Sequence, residues 1–156
     1  MILYSWNTNG IRGAVKHGLL EWLQKASPDI LCVQETKASD PEVTLSREIL
    51  APLGYRSYWN WPKEKKGYSG VAVYSKTEPE TIETGLGQTP YDGEGRTIVV
   101  HYPSFVVLNI YFPNGKQSPQ RLDYKMKFYD AFLTRCLSLK KKGETPHYVR
   151  RLQHGA

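Results

Sequence analysis

The chain has 156 residues and a net charge of +6; 40% of its residues are hydrophobic and 23% are charged. That length allows one domain with a modest core, the composition is not that of a disordered chain, and no apolar run reaches bilayer-spanning length. The N-terminus lacks a signal-peptide pattern, so a cytoplasmic protein is expected, and the basic excess favours a polyanionic partner without requiring one.

Ile2-Leu3-Tyr4-Ser5-Trp6 reads as a strand ending in polar Asn7, followed by a glycine-rich turn from Asn9 to Gly13. Leu19, Leu20, Trp22 and Leu23 supply the apolar face of a helix from Gly18 to Lys25, stopped by Ser27-Pro28-Asp29. Ile30 to Val33 reads as a second, buried strand that runs into Glu35. Burying a lone carboxylate there costs several kcal/mol unless a cation meets it. A divalent metal is one such cation, and hard oxygen ligands suit Mg²⁺. Two strands ending side by side in Asn7 and Glu35 would hold a metal at the rim of a sheet.

A short helix is predicted from Leu45 to Leu50, closed by Pro52 and Gly54. Strands are predicted from Tyr55 to Trp59, from Val71 to Tyr74 with alternating burial, from Thr97 to His101 and from Phe105 to Tyr111. Gly67-Tyr68-Ser69-Gly70 reads as a turn and Tyr102-Pro103-Ser104 as a hairpin turn. Leu122, Met126, Tyr129, Leu133 and Cys136 recur at helical spacing, so Gln120 to Leu139 is predicted as an amphipathic helix with those residues on its apolar face. Cys32 and Cys136 lie in apolar segments without metal-ligand spacing and read as reduced core residues. The alternation of strands and helices implies a mixed α/β sandwich. Gly143 to Ala156 is polar and basic and shows no strand periodicity.

Several segments in order, SWNTNGIR from Ser5, LCVQETK from Leu31, GYSGVAVYSK from Gly67, EGRTI from Glu94, LNIYFPNG from Leu108 and RLDYK from Arg121, carry a family resemblance. From Met1 to about Lys142 the chain resembles the exonuclease III type of apurinic/apyrimidinic (AP) endonuclease, within the endonuclease/exonuclease/phosphatase superfold. The resemblance implies a four-layered α/β sandwich with its site at one end of two packed sheets, the C-terminal half being absent here. It implies Mg²⁺-dependent (or Mn²⁺-dependent) phosphodiester cleavage in double-stranded DNA, at abasic sites and from 3′ ends, by a protein that is monomeric when complete and needs no membrane. By position, Glu35 matches the metal ligand, Asn7 its neighbour in the metal and catalytic site, and Tyr111 the catalytic tyrosine beside the scissile phosphate. Asn114 lies where the family contacts the substrate phosphate, and Arg12, Lys37, Tyr68 and Gln117 lie in loops that meet DNA. Taken residue by residue, blander roles stay open: Asn7 and Asn114 as turn residues, Glu35 as the partner of Lys37, Tyr111 as a core aromatic.

In relatives the long helix leads to a buried strand ending in Gly-Asp-Xaa-Asn, and later to a metal-site Asp and a terminal Ser-Asp-His. None of these is present, and His147 and His154 match no family position. Residues 1–142 are therefore expected to be the N-terminal part of the domain, and residues 143–156 an aberrant tail. Codons compatible with Glu144 to Ala156, shifted by one base, translate to Lys-Pro-Pro-Ile-Met-Cys-Gly-Asp-Phe-Asn-Thr-Ala, so the tail is read as frameshifted. Little or no nuclease activity is expected from this chain alone. The alternatives are a non-catalytic duplex-DNA-binding remnant, using Arg12, Lys16, Lys37 and Lys63 to Lys66, and a phosphodiesterase of the same superfold acting on a small phosphoester.

Overall fold

The computed structural model describes residues 1–38, 47–116 and 118–149. Two four-stranded sheets stack face to face. The first contains β1 (Leu3–Asn7), β2 (Ile30–Gln34), β3 (Arg56–Asn60) and β4 (Val71–Ser75), in the order β1-β2-β4-β3. The second contains β5 (Thr81–Thr84), β6 (Thr97–Tyr102), β7 (Phe105–Ile110) and β8 (Pro146–Val149), in sequence order. The pairs β1–β2 and β7–β8 are parallel and the rest antiparallel. Helices α1 (Ile11–Lys16) and α2 (Leu19–Ala26) join β1 to β2, short helices α3 (Arg47–Leu50) and α4 (Thr89–Asp92) sit in loops, and α5 (Pro119–Lys141) crosses from β7 to β8.

Three apolar cores separate four layers. Ile11, Leu19 and Leu23 pack on Leu31, Val33 and Ala72 between the helices and the first sheet. Ile30, Cys32, Val71 and Val73 meet Ile98, Val100 and Val107 between the sheets. Val99, Leu108 and Ile110 meet Phe128, Ala131 and Leu139 beneath α5. The two-residue period of a strand explains this division, since alternate residues of β2 enter opposite cores. A strand covered on both faces reads as an unbroken apolar run, and this also corrects the half-buried alternation expected of β4, all five of whose residues are buried. Cys32 is buried and both cysteines are free, as expected; burial pushes the Cys32 thiol well above its ordinary range.

The structure differs from the sequence-based expectation at five further places. The turn expected from Asn9 to Gly13 gives way at Ile11 to α1, whose start is pinned by Gly10 N–H to Glu35 C=O (2.7 Å) and Ile11 N–H to Thr36 C=O (2.9 Å). β5 and α4 were not predicted, being short and largely polar. In α5 the expected core stripe is divided: Tyr129 and Cys136 pack against the core with Phe128, Ala131 and Leu139, while Leu122, Met126 and Leu133 are more than half exposed. Both faces of this helix are apolar, so periodicity alone could not choose between them. Finally, Pro146–Val149 forms β8, where no strand periodicity was visible. The free edge of β7 decides this, because strand formation depends on the neighbour as much as on local preference. The beginning of the helix expected at Leu45 lies outside the described residues.

Candidate active site

The parallel register sets Asn7 opposite Gln34, so the last residue of β1 stands beside the first residue beyond β2, Glu35. Asn7 Nδ2 donates to Glu35 Oε1 at 2.8 Å, and Asn7 Oδ1 accepts the Asn9 N–H at 3.1 Å. Lys37 Nζ lies 3.5 Å from Glu35 Oε2 and donates to Asn9 Oδ1 at 2.5 Å. Two loops meet here: Thr36 N–H donates to Gly70 C=O (3.1 Å) and Lys37 N–H to Ser69 C=O (2.9 Å). Asn9, Glu35, Lys37 and Ser69 all have φ near +50°, four of the five left-handed non-glycine residues among the described residues. Such strain persists where surrounding contacts over-determine it, and it clusters at functional sites. Gly70 is required at this junction: its φ is +88°, and a Cβ would lie 2.2 Å from Thr36 Oγ1.

Tyr111 follows β7 and brings its phenol to the same rim. Burial first, then the charge and hydrogen bonding of the Glu35 carboxylate, push that phenol up to about 12. At neutral pH Tyr111 is therefore a hydrogen-bond donor and not a phenolate base. Behind it lies Arg96, only 2% exposed. Its guanidinium sits 4.8 Å from the Tyr111 ring centre and donates to Tyr111 C=O (3.2 Å), Tyr68 Oη (2.5 Å) and Glu94 Oε2 (2.5 Å). Arg121 donates to both Glu94 oxygens (2.8 and 3.2 Å) and to Tyr68 Oη (3.3 Å). Burial alone would raise the Glu94 carboxyl, but the two arginines outweigh it and hold the group below its ordinary value.

A buried polar bridge crosses between the sheets behind the rim. Asn109 of β7 donates to Val33 C=O (3.0 Å) and Ala72 C=O (2.8 Å) in the facing sheet, and its Oδ1 accepts from Gln34 Nε2 (2.8 Å). Gln34 also donates to Ser5 Oγ (3.0 Å). Ser5, Gln34 and Asn109 lie within two residues of Asn7, Glu35 and Tyr111, so the bridge fixes the three strands that present the rim. Buried polar groups in such a bridge are costly unless partnered, which makes the alignment of the sheets specific.

Of the residues singled out from the sequence, Asn7, Glu35, Lys37 and Tyr111 are brought together. Tyr68 joins the same neighbourhood through Arg96. Arg12 is exposed on the first turn of α1, directly after the loop bonded to Glu35 and Thr36. Asn114 is partly exposed, and its Oδ1 accepts the Lys116 N–H (3.0 Å), so it does serve as a turn residue. The Lys37 contact with Glu35 was likewise the bland alternative, and it is present. Gln117 lies outside the described residues. Sequence reasoning passed over Arg96, Glu94, Arg121 and Asn109 as site residues. One signal was available: an arginine at the head of the apolar strand Thr97-Ile98-Val99-Val100 needs a buried anion, and Glu94 stands two residues away.

The donor set suits a hard divalent cation. Glu35 offers a carboxylate only 13% exposed, whose nearest cation is a lysine at 3.5 Å. Among the described residues no group of three or more His, Cys, Asp or Glu side chains is placed to hold a metal ion. Mg²⁺ tolerates one or two protein carboxylates, taking its other ligands from water and substrate oxygens, whereas structural zinc needs a full protein set.

The sequence profile of the Endonuclease/Exonuclease/phosphatase family matches residues 4–146. The chain is 41% identical over 143 residues to the exodeoxyribonuclease of Bacillus subtilis (strain 168), covering 91% of this chain and 54% of that protein. It is 42% identical over 126 residues to the DNA repair nuclease APEX1 of Danio rerio, covering 80% of this chain and 40% of that protein. The solved catalytic domain of Xenopus laevis APE2 superposes with a TM-score of 0.82 at 29% identity, covering 99% of this chain and 59% of that one. The chain thus spans about half the length of the curated relatives it matches.

Proposed function

Because this chain belongs to the endonuclease/exonuclease/phosphatase family, we propose that it is the N-terminal part of a Mg²⁺-dependent DNA repair phosphodiesterase that incises abasic sites and trims 3′ ends. The observation that carries the proposal is the under-neutralised Glu35 carboxylate, held by Asn7 at 2.8 Å beside the Tyr111 phenol.

Each residue takes a role its contacts allow. Glu35 would hold the metal, which when bound supplies positive charge against the phosphate and the departing 3′ oxygen. Asn7 spends its amide on Glu35 and Asn9 and so orients the carboxylate. Tyr111 keeps its proton and donates it as a hydrogen bond to a phosphate oxygen as charge develops there. Asn114 NH₂ donates to the same phosphate. Arg12, Lys37, Tyr68 and Gln117 steady the flanking backbone of the duplex, a contact that positions without reading sequence. Water activation needs a base, and among the described residues the partners of the Glu35 carboxylate are Asn7, Lys37 and Tyr111, none of them a His or Asp. The chain alone is accordingly expected to show little cleavage, general-base catalysis typically contributing about 10²–10⁴-fold.

The test is incision of an abasic duplex in Mg²⁺ by this chain alone and by this chain joined to the unmatched part of the B. subtilis exodeoxyribonuclease. The joined protein should incise, and Glu35→Gln should abolish that incision. Equal incision by the Glu35→Gln protein would refute the assignment. A second reading, duplex binding without cleavage, is favoured by the exposed run Lys63 to Lys66 and the net charge of +6. It predicts a metal-independent gel shift that weakens steeply with salt. The frameshift proposed for residues 143–156 is decided by the coding DNA: codons that yield no Gly-Asp-Phe-Asn in a shifted frame rule it out. Among the described residues no helix is long and apolar enough to cross a membrane.

A further inference from the structure

Asparagine followed by glycine occurs twice in the chain, at Asn9-Gly10 and at Asn114-Gly115. Such a pair carries covalent chemistry of its own. The glycine nitrogen can attack the asparagine side-chain carbonyl carbon, because no Cβ on the glycine obstructs the approach. The other asparagines precede Thr8, Trp61 and Ile110, whose side chains crowd it. The two Asn-Gly pairs differ in what holds the glycine nitrogen. Gly10 N–H donates to Glu35 C=O at 2.7 Å, which pins its peptide plane and holds its proton. Gly115 N–H has no acceptor among the described residues. Instead Asn114 Oδ1 accepts the Lys116 N–H (3.0 Å), and an asparagine bonded two residues ahead folds its side chain back over the intervening peptide. That bond also places a donor on the oxygen that gains charge during attack. Asn9 Oδ1 has a donor as well, Lys37 Nζ at 2.5 Å, so the glycine nitrogens and not the carbonyl oxygens separate the two sites. Exposure alone points the other way, since Asn9 is exposed and Asn114 only partly so.

We propose that Asn114 is a site of spontaneous deamidation in the folded protein and that Asn9, despite its greater exposure, is protected. The Gly115 nitrogen bonds to Asn114 Cγ, the Cγ–Nδ2 bond breaks, and the Gly115 amide proton leaves with Nδ2 as ammonia. Water then opens the cyclic imide at either carbonyl and gives aspartate or isoaspartate. Both products put a carboxylate where an amide stood. Isoaspartate also adds a methylene to the backbone at a packed point: a Cβ on Gly115 would lie 3.1 Å from Leu122 Cδ1 and 3.2 Å from Leu122 Cα on the first turns of α5. A negative charge at residue 114 repels the phosphate that the Asn114 amide is proposed to bind, so conversion silences the site. That consequence rests on the nuclease reading, and the modification itself does not.

The test incubates the full chain, and the joined protein described above, in warm and mildly alkaline buffer. Each asparagine is followed by peptide mass spectrometry, with isoaspartate resolved from aspartate by chromatography. Asn114 should convert to both acids, and Asn9 should lag by about tenfold, the margin set by breaking the Gly10 hydrogen bond. In concentrated urea the lag should close, because that bond is gone. Equal rates in the folded protein, or faster conversion at Asn9, overturn the proposal. So does a lag that persists undiminished in urea, since local sequence would then account for it. In the joined protein, abasic-site incision should fall in step with Asn114 conversion. Full incision after conversion overturns the silencing. A joined protein that never incises fails the nuclease reading, while the mass comparison still decides the modification.

Discussion

Glu35 and Glu94 are two carboxylates at one end of the sandwich, and they are partnered in opposite ways. Glu94 is the more exposed at 29%, yet it is gripped by Arg96 at 2.5 Å and Arg121 at 2.8 Å. Glu35 is only 13% exposed, yet its nearest cation is a lysine at 3.5 Å. If pairing only answered burial, the more buried group would be the better neutralised. The reversal separates their duties. Glu94 completes a fixed ionic frame that includes Tyr68 and backs Tyr111, and Glu35, the proposed metal ligand, is held only by Asn7, Lys37 and the Tyr111 phenol.

The largest expected effect breaks the fixed half of that contrast. Arg96→Ala should cost about 3–5 kcal/mol in a urea titration, because it leaves Glu94 short of its buried partner. Arg96→Lys should recover only part of this, since an ammonium cannot reproduce the guanidinium fork. Glu35→Gln should do the opposite. Its stability should change by no more than about 1 kcal/mol, while abasic-site incision by the joined protein falls about 10²–10³-fold or more. Tyr111→Phe should lower incision by about 10²-fold, as for loss of one aligned donor. With the phenol pushed up to about 12, the wild-type rate should show no Tyr111 inflection between pH 6 and about 10. The smallest effect is a pH dependence of folding. The Glu94 carboxyl is depressed in the folded state, so its contribution is present above the ordinary glutamate value of about 4.3 and is lost as the pH falls through the lower folded value. Thermal melts between pH 6 and 3 should fall less steeply for Glu94→Gln than for the parent.

The same contrast explains what could be read from the chain. Glu35 was visible because an apolar strand runs straight into a carboxylate. Asn7 and Tyr111 gained meaning only from the order of family segments, since each alone fits a turn or a core. The frame around Glu94 stayed hidden because its members come from residues 68, 94, 96, 111 and 121, and no local pattern links them. Elements buried on both faces, such as β2, were legible as apolar runs. β5 and β8, four residues each at the edges of a sheet, were not, because their pairing is dictated by β6 and β7. The face of α5 was legible only in part for a related reason: Tyr129 and Cys136 pack inward as expected, but Phe128 and Leu139 hold the centre of the sheet contact and Leu122 and Met126 are left outside.

The most direct test of the Glu35 assignment needs no turnover. Mn²⁺ added to the chain should broaden the NMR signals of Asn7, Glu35 and Tyr111 before others, and Mg²⁺ should compete it away. In Glu35→Gln that broadening should vanish while the Arg96 and Glu94 signals keep their positions. Unchanged broadening in the variant, or broadening centred away from the ends of β1 and β2, would contradict the account.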